Sequence, residues 1–322
     1  LPSPLPSPAS RGRAREGAGK DEVRWRINMN GLLVRIYRAR WSYLFLLPSL
    51  TVFTLFFLLP ILYTFFISFN QWSTLSSPKF VGMKNYMGVI SDAVFWKAMR
   101  NTALYVLMVV PSIVVLSLIV ATLVNIKTRA QNFFKILYYI PVICSGIVVG
   151  IIWKWIYNGE IGVLNYILSL FHLPKAIWLG NTSTALAAIA VVGIWRSIGY
   201  YMVIYLAGLQ SIPGQLYEAS RIDGASELQN FLYITLPMLR PITLLVVILA
   251  TISTFQVFEM IYVMTYGGPA ESTITAVWQI YIASFTQFKF GYAAAMGFVL
   301  FLFVFLISLF QLRYSRSEVF GS

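Results

Sequence analysis

Residues 211–241 read SIPGQLYEASRIDGASELQNFLYITLPMLRP and stand between two long apolar runs, 184–209 and 242–266. The stretch has helical spacing but is too polar to cross a bilayer. Ser211 followed by Pro213 suits a helix start, where a hydroxyl caps and proline lacks only a donor that the first turn does not use. Leu216, Ala219 and Ser220 then fall on one face. Gly224 interrupts the pattern, as a left-handed or close-contact position does. Ser226 with Gln229 has the spacing of a capping box, so a second helix starts there. Leu228, Phe231 and Leu232 supply its apolar side, and Pro237 and Pro241 end it and turn the chain into the next apolar run. The expectation is two short helices joined at a glycine and lying across one face of a membrane.

Outward from this elbow the chain is overwhelmingly apolar. Of its 322 residues 58% are hydrophobic and only 11% charged, with a mean hydropathy of +0.74. A bilayer core of roughly 30 Å needs about 20 apolar residues in helical form. Runs at 42–69, 102–124, 136–157, 184–209, 242–266 and 292–312 meet that need. The fold class is therefore all-α, a polytopic membrane protein with about six transmembrane helices. Pro48 and Pro60 predict a kink in the first span. The loop 267–291 has room for a re-entrant or interfacial helix. Residues 1–40 form a basic tail rich in Pro, Ser, Gly and Arg, expected to be partly disordered and not a signal peptide. Within it, 30–40 predicts a short interfacial helix with Leu32, Leu33, Ile36 and Tyr37 on its apolar face. Residues 41–315 make the membrane domain, containing the elbow at 211–237, and 316–322 a short tail.

Several function classes are excluded. The formal net charge of +13 would suggest nucleic acid on a soluble protein, but nine of the 24 Lys and Arg lie in the first 40 residues. That clustering suits a tail beside an anionic membrane surface. A single cysteine, Cys144, and a single histidine, His172, give neither a disulfide nor a metal framework nor a triad. No G-x-x-x-x-G-K-S/T phosphate loop occurs, so the energy for any pumping comes from a partner or an ion gradient. Basic residues near span ends set orientation. Sixteen Lys and Arg lie in 1–41, 125–135, 210–241 and 313–322, against six in 70–101, 158–183 and 267–291. Both termini and the elbow are thus expected in the cytoplasm, largely on the strength of the tail, since without it the balance is seven to six.

Two charges fall inside predicted spans, Arg196 and Glu259. Such residues usually face a cavity or one another. Gln256, Glu259 and Tyr262 share the spacing of one helix face. Trp195 and Tyr200 add aromatic surface of the kind that suits sugars, whose C–H faces are apolar and rims polar. Trp153, Trp155 and Tyr157 are read as interfacial anchors. Three readings compete: a substrate path lined by Trp195, Arg196, Tyr200, Gln256, Glu259 and Tyr262, a purely structural Arg196–Glu259 pair, or a proton relay through Arg196 and Glu259 in an ion-coupled secondary transporter. A membrane enzyme would need a convergent nucleophile or metal set, which is absent from the sequence.

The elbow also carries a resemblance. Glu218-Ala219-Ser220, three residues, Gly224, nine residues and Ile234-Thr235-Leu236-Pro237 resemble the EAA signature of permease subunits in binding-protein-dependent ABC importers. Ser220 stands where that signature has a second alanine. FVGMKNYMGVISDAVFWKAMRNT (80–102), IWKWIYNGEIGVLNYIL (152–168), GIWRSIGYYMVIYLAGLQSIP (193–213) and FQVFEMIYVMTYGGP (255–269) are similar to the maltose and glycerol-phosphate branch, on its MalF-like side. An alginate-type or other oligosaccharide system falls within the same resemblance. It implies a type I importer permease fold in a bacterial inner membrane. It further implies a second permease subunit in a heterodimer, two ATP-binding cassette subunits that hold ATP and Mg, and a soluble substrate-binding protein. No cofactor is expected in this chain. Glu218, Ala219, Ser220, Asp223, Gly224 and Ala225 would then form the coupling helix that docks in an ATPase groove, with Glu218 and Gly224 as the main contacts.

Overall fold

The computed structural model describes residues 40–73, 77–126 and 129–319. The expected interfacial helix at 30–40, its four apolar residues and the disorder of the tail therefore lie outside the described residues. Four helices are long and apolar enough to cross a membrane, Tyr43–Ser68, Ala93–Asn125, Ala185–Ser211 and Phe290–Arg313. Two bent pairs bring the number of spans to six if each pair counts as one: Gln131–Ile143 with Gly146–Ile156, and Glu227–Met238 with Arg240–Phe255.

The described residues fall into two compact units that divide between Thr64 and Phe65. In the first, the helix Arg40–Phe53 accommodates Pro48 and then widens into a π-turn at Thr54–Leu58. That turn directly precedes Pro60, whose ring has no N–H to give and crowds the carbonyl one turn back. The expected proline distortion is thus taken up as one wide turn.

In the second unit, Ala185–Ser211 is the axle. It packs against Ala93–Asn125, against Gln131–Ile143 and against Arg240–Phe255. Its glycines let neighbours close in: a Cβ at Gly199 would meet the Tyr138 carbonyl oxygen. The shared core holds Tyr105, Ile113, Ile189, Met202, Tyr205 and Val246, all nearly or fully inaccessible.

The second span begins earlier than its apolar run suggests. Asp92 caps Ala93–Asn125, accepting from the Val94 and Phe95 N–H groups at 2.8 and 3.2 Å. At about 1.5 Å per residue the 33-residue helix outruns a 30 Å core by several turns. Its projecting end is tied to the loop that follows the fifth span. Asn101 Nδ2 donates to the Glu271 and Ile274 carbonyls, Thr102 Oγ1 accepts from the Ala276 N–H, and Lys97 pairs with Glu271 at 3.0 Å. That loop contains the expected helix, at Ala276–Tyr281, continued by a π-turn at Ile282–Thr286. The sixth helix runs unbroken over Phe290–Val319.

Two spans differ from their sequence reading. The third does not run straight through 136–157: it bends by 97° between Ile143 and Gly146, where Cys144 and Ser145 are extended. The fifth helix stops at Phe255 instead of reaching 266, and a separate short helix, Glu259–Met264, follows. Apolar residues populate both sides of each break, so hydropathy passes over it.

Candidate functional site

The elbow is built from two capped limbs. Its first helix is Gly214–Ile222, with Pro213 at the N-cap. Ser211 does not cap it. The fourth-span helix extends through Ser211, whose hydroxyl donates to the Gly208 carbonyl at 2.7 Å. At the other end Gly224 has φ of +80°. The Gly224 N–H donates to the Arg221 carbonyl at 3.1 Å and the Ala225 N–H to the Ser220 carbonyl at 2.9 Å. This pair of bonds is the Schellman closure that a left-handed residue permits.

The second limb starts as the sequence foretold. Gln229 N–H donates to Ser226 Oγ at 3.3 Å, and Ser226 N–H donates to Gln229 Oε1 at 2.7 Å. The limb passes through a π-turn, Phe231–Thr235, before Leu236–Met238. Pro237 lies inside that last turn; the redirection occurs at Leu239, with a bend of 64°. Polar side chains brace the limbs together. Tyr217 Oη and Thr235 Oγ1 are 2.9 Å apart, and Ser220 Oγ lies 2.7 Å from the Asn230 side-chain amide and 3.0 Å from the Tyr217 carbonyl. Ser220 has one proton for two acceptors while Asn230 Nδ2 is buried without a partner. Turning the amide over satisfies all three groups, with Nδ2 donating to Ser220 Oγ and the hydroxyl donating to Tyr217.

The bracing leaves the outer surface free. Glu218, Ala219, Asp223 and Gly224 are exposed; Ser220 and Ala225 are half-buried. Leu216 and Ala219 do not pack inward as a face with Ser220; Tyr217 and Ser220 meet the second limb instead. Ile222, Leu228 and Tyr233 stand out at 87, 67 and 77% exposure. Among the described residues the ion pairs are Lys97–Glu271 and Arg221–Glu227, so Glu218 and Asp223 are in neither.

A second cluster surrounds a cavity of about 390 Å³ lined by Tyr105, Arg196, Ser253, Gln256, Phe258 and Glu259 among others. A neighbouring chamber of about 370 Å³ shares Arg196, Ser197, Ser253 and Gln256 and adds Tyr200 and Tyr201. Four of the six expected path residues thus come together: Arg196, Tyr200, Gln256 and Glu259. Trp195 and Tyr262 line neither chamber. Trp195 packs edge-on against Trp153 at 5.5 Å, and Tyr262 joins a ring cluster with Phe258, Trp278 and Tyr281. Gln256 and Glu259 are not on one helix face, because the helix stops at Phe255 and a new one starts at Glu259; the cavity unites them instead. Tyr157, read as an interfacial anchor, is buried with its hydroxyl on the Ala188 carbonyl at 3.0 Å.

Arg196 and Glu259 do not pair. Each meets one end of the broken third span. Arg196 Nη2 donates to the Cys144 carbonyl at 3.4 Å, just past the C-terminal end of Gln131–Ile143. The Glu259 carboxylate sits on Gly146, the first residue of the helix Gly146–Ile156, where an added Cβ would lie 2.9 Å from Glu259 Cδ. Helix C-termini carry partial negative charge and N-termini partial positive charge, so each side chain complements the end it touches. The sequence reading missed Tyr105, Ser197 and Ser253. Ser197 follows Arg196 directly, and Ser253 lies three residues before Gln256 on the preceding helix; nothing in the sequence marks Tyr105.

Residues 101–318 match the model of a family described as binding-protein-dependent transport system inner membrane component. The chain is 35% identical over 280 residues to YurN of Bacillus subtilis, a probable ABC transporter permease, covering 85% of this chain and 96% of that one. It is 34% identical to the trehalose/maltose transport system permease MalF of Thermococcus litoralis, covering 86 and 94%. Its fold is similar to a chain in the crystal structure of a bacterial alginate ABC transporter bound to its alginate-loaded periplasmic protein. There the TM-score is 0.78 at 21% identity, covering 88% of this chain and 97% of that one.

Proposed function

The chain belongs to the binding-protein-dependent transport system inner membrane component family, and from that membership we propose that it is a permease subunit that passes a sugar or oligosaccharide into the cell. In this reading a soluble binding protein delivers the sugar to the outer loops. A second, non-identical permease completes the pathway, and two ATPase subunits hold ATP and Mg. The termini and the elbow lie in the cytoplasm of a bacterial cell.

The observation that carries the reading is the elbow. A glycine-jointed pair of capped helices, cross-braced by Ser220–Asn230 and Tyr217–Thr235, keeps unpaired carboxylates and apolar side chains on its outer surface. Such a rigid, exposed element is suited to receive a push from a separate motor. Glu218 and Gly224 are its docking centre, Ala219 and Asp223 flank them, and Ser220 and Ala225 set the joint. Arg196, Tyr200, Gln256 and Glu259 line the sugar path, and Tyr262 supports it through its tilted ring contact with Phe258.

Reconstitution tests the assignment. Proteoliposomes containing both permeases, the ATPases and the binding protein should accumulate sugar only with ATP on the ATPase side. Liposomes with this chain alone should accumulate none under a proton or sodium gradient. Gradient-driven uptake by the chain alone would replace the proposal with an ion-coupled transporter using Arg196 and Glu259.

A further inference from the structure

Taking the cavity as part of the sugar path, we propose that it selects an uncharged, hydroxyl-rich sugar over an acidic one. Among the described residues lining the two chambers, Arg196 and Glu259 are the only charged ones. Neither is in an ion pair among the described residues. Arg196 Nε is buried without a partner, and the guanidinium makes one long bond to the Cys144 carbonyl. The carboxylate of Glu259, exposed and lining the cavity, leans on Gly146 and has no hydrogen bond to a side chain among the described residues. Both groups hold unused bonding capacity, one as donor and the other as acceptor.

The charges are also balanced in kind. Each is partly complemented by one end of the broken third span, and with one cation and one anion the lining has no net charge to draw in an acidic sugar. A sugar bearing a carboxylate would bring a second negative charge close to Glu259 with a single guanidinium to share. Burying an unmatched charge is costly. A neutral sugar meets no such penalty. Each hydroxyl accepts from Arg196 or donates to Glu259, Gln256 offers a donor and an acceptor, and the rings of Phe258 and Tyr200 face the C–H surfaces.

The test reads cavity charge whichever sugar the transporter carries. Ser253, which borders both chambers, is changed to cysteine in a Cys144→Ser background within the complete transporter. Its reaction rate is measured during turnover with glucosyl, sulfonatoethyl and trimethylammonioethyl methanethiosulfonates, each relative to its rate with free cysteine. The uncharged glucosyl reagent is expected to be favoured over the anionic one by about tenfold. Glu259→Gln should raise the anionic reagent's relative rate about tenfold, and Arg196→Gln the cationic reagent's. An anionic reagent that outruns the glucosyl one, or a ranking that Glu259→Gln leaves unchanged, overturns the inference while the path assignment stands. Failure of all three reagents to react overturns both, since the cavity would then not be a water-filled route.

Discussion

Gly224 combines a φ of +80° with open space, since apart from its chain neighbours no described heavy atom lies within 4 Å of where its Cβ would be. Its role is therefore conformational before it is steric. An L-residue held in that region costs roughly 1–2 kcal/mol, and asparagine tolerates it best. Gly224→Val should abolish the binding protein's stimulation of ATP hydrolysis while membrane insertion, followed by fractionation, stays normal. Gly224→Asn should keep most of that stimulation. Equal activity in both variants would remove the joint from the mechanism. The glycine, the serine cap and the two intramembrane charges were legible as single letters because each has few alternative uses. Ser220 was not: its hydroxyl bonds to Asn230, ten residues on, a contact that only the folded elbow creates.

At the scale of elements, the second limb of the elbow is short and rests on its cap. Its α-helical start covers only Glu227–Asn230 before the π-turn. Losing a serine cap costs about 1 kcal/mol. Ser226→Ala with Gln229→Ala should therefore speed amide exchange across 226–239 in hydrogen-exchange mass spectrometry and leave 185–211 protected. Asn230→Leu should do more, since it removes the amide that ties Ser220 of the first limb to the second; protection unchanged in both variants would argue against the bracing. The capping box was visible in four consecutive residues because its bonds are local. The break in the third span was not visible, because Cys144 and Ser145 lie in an apolar run and Arg196 and Glu259, which complement its ends, come from other spans.

Across the whole molecule, assembly depends on how closely the fourth span approaches the third. An added carbon at Gly199 meets a backbone carbonyl, which cannot rotate aside, whereas one at Gly297 meets nothing within 4 Å. Overpacking of this kind costs about 1–3 kcal/mol or more. Gly199→Leu should lower the melting temperature and the monodisperse yield in detergent, measured by fluorescence-detected size exclusion. Gly297→Leu should match the parent. Equal yields would mean that the helices separate at no cost and that the fourth-span axle is not the organising contact.

By itself the sequence determined that the chain is a multi-span helical membrane protein with a polar, glycine-jointed elbow between its fourth and fifth long apolar runs. Those properties follow from composition, periodicity and capping, all of which act within a few turns of chain. The tertiary structure alone decided that Arg196 and Glu259 share a cavity without pairing, that two predicted spans are broken, and that Trp195 and Tyr262 stand outside the cavity. These outcomes depend on which helix ends face which side chains across the bundle, and local chemistry does not encode that.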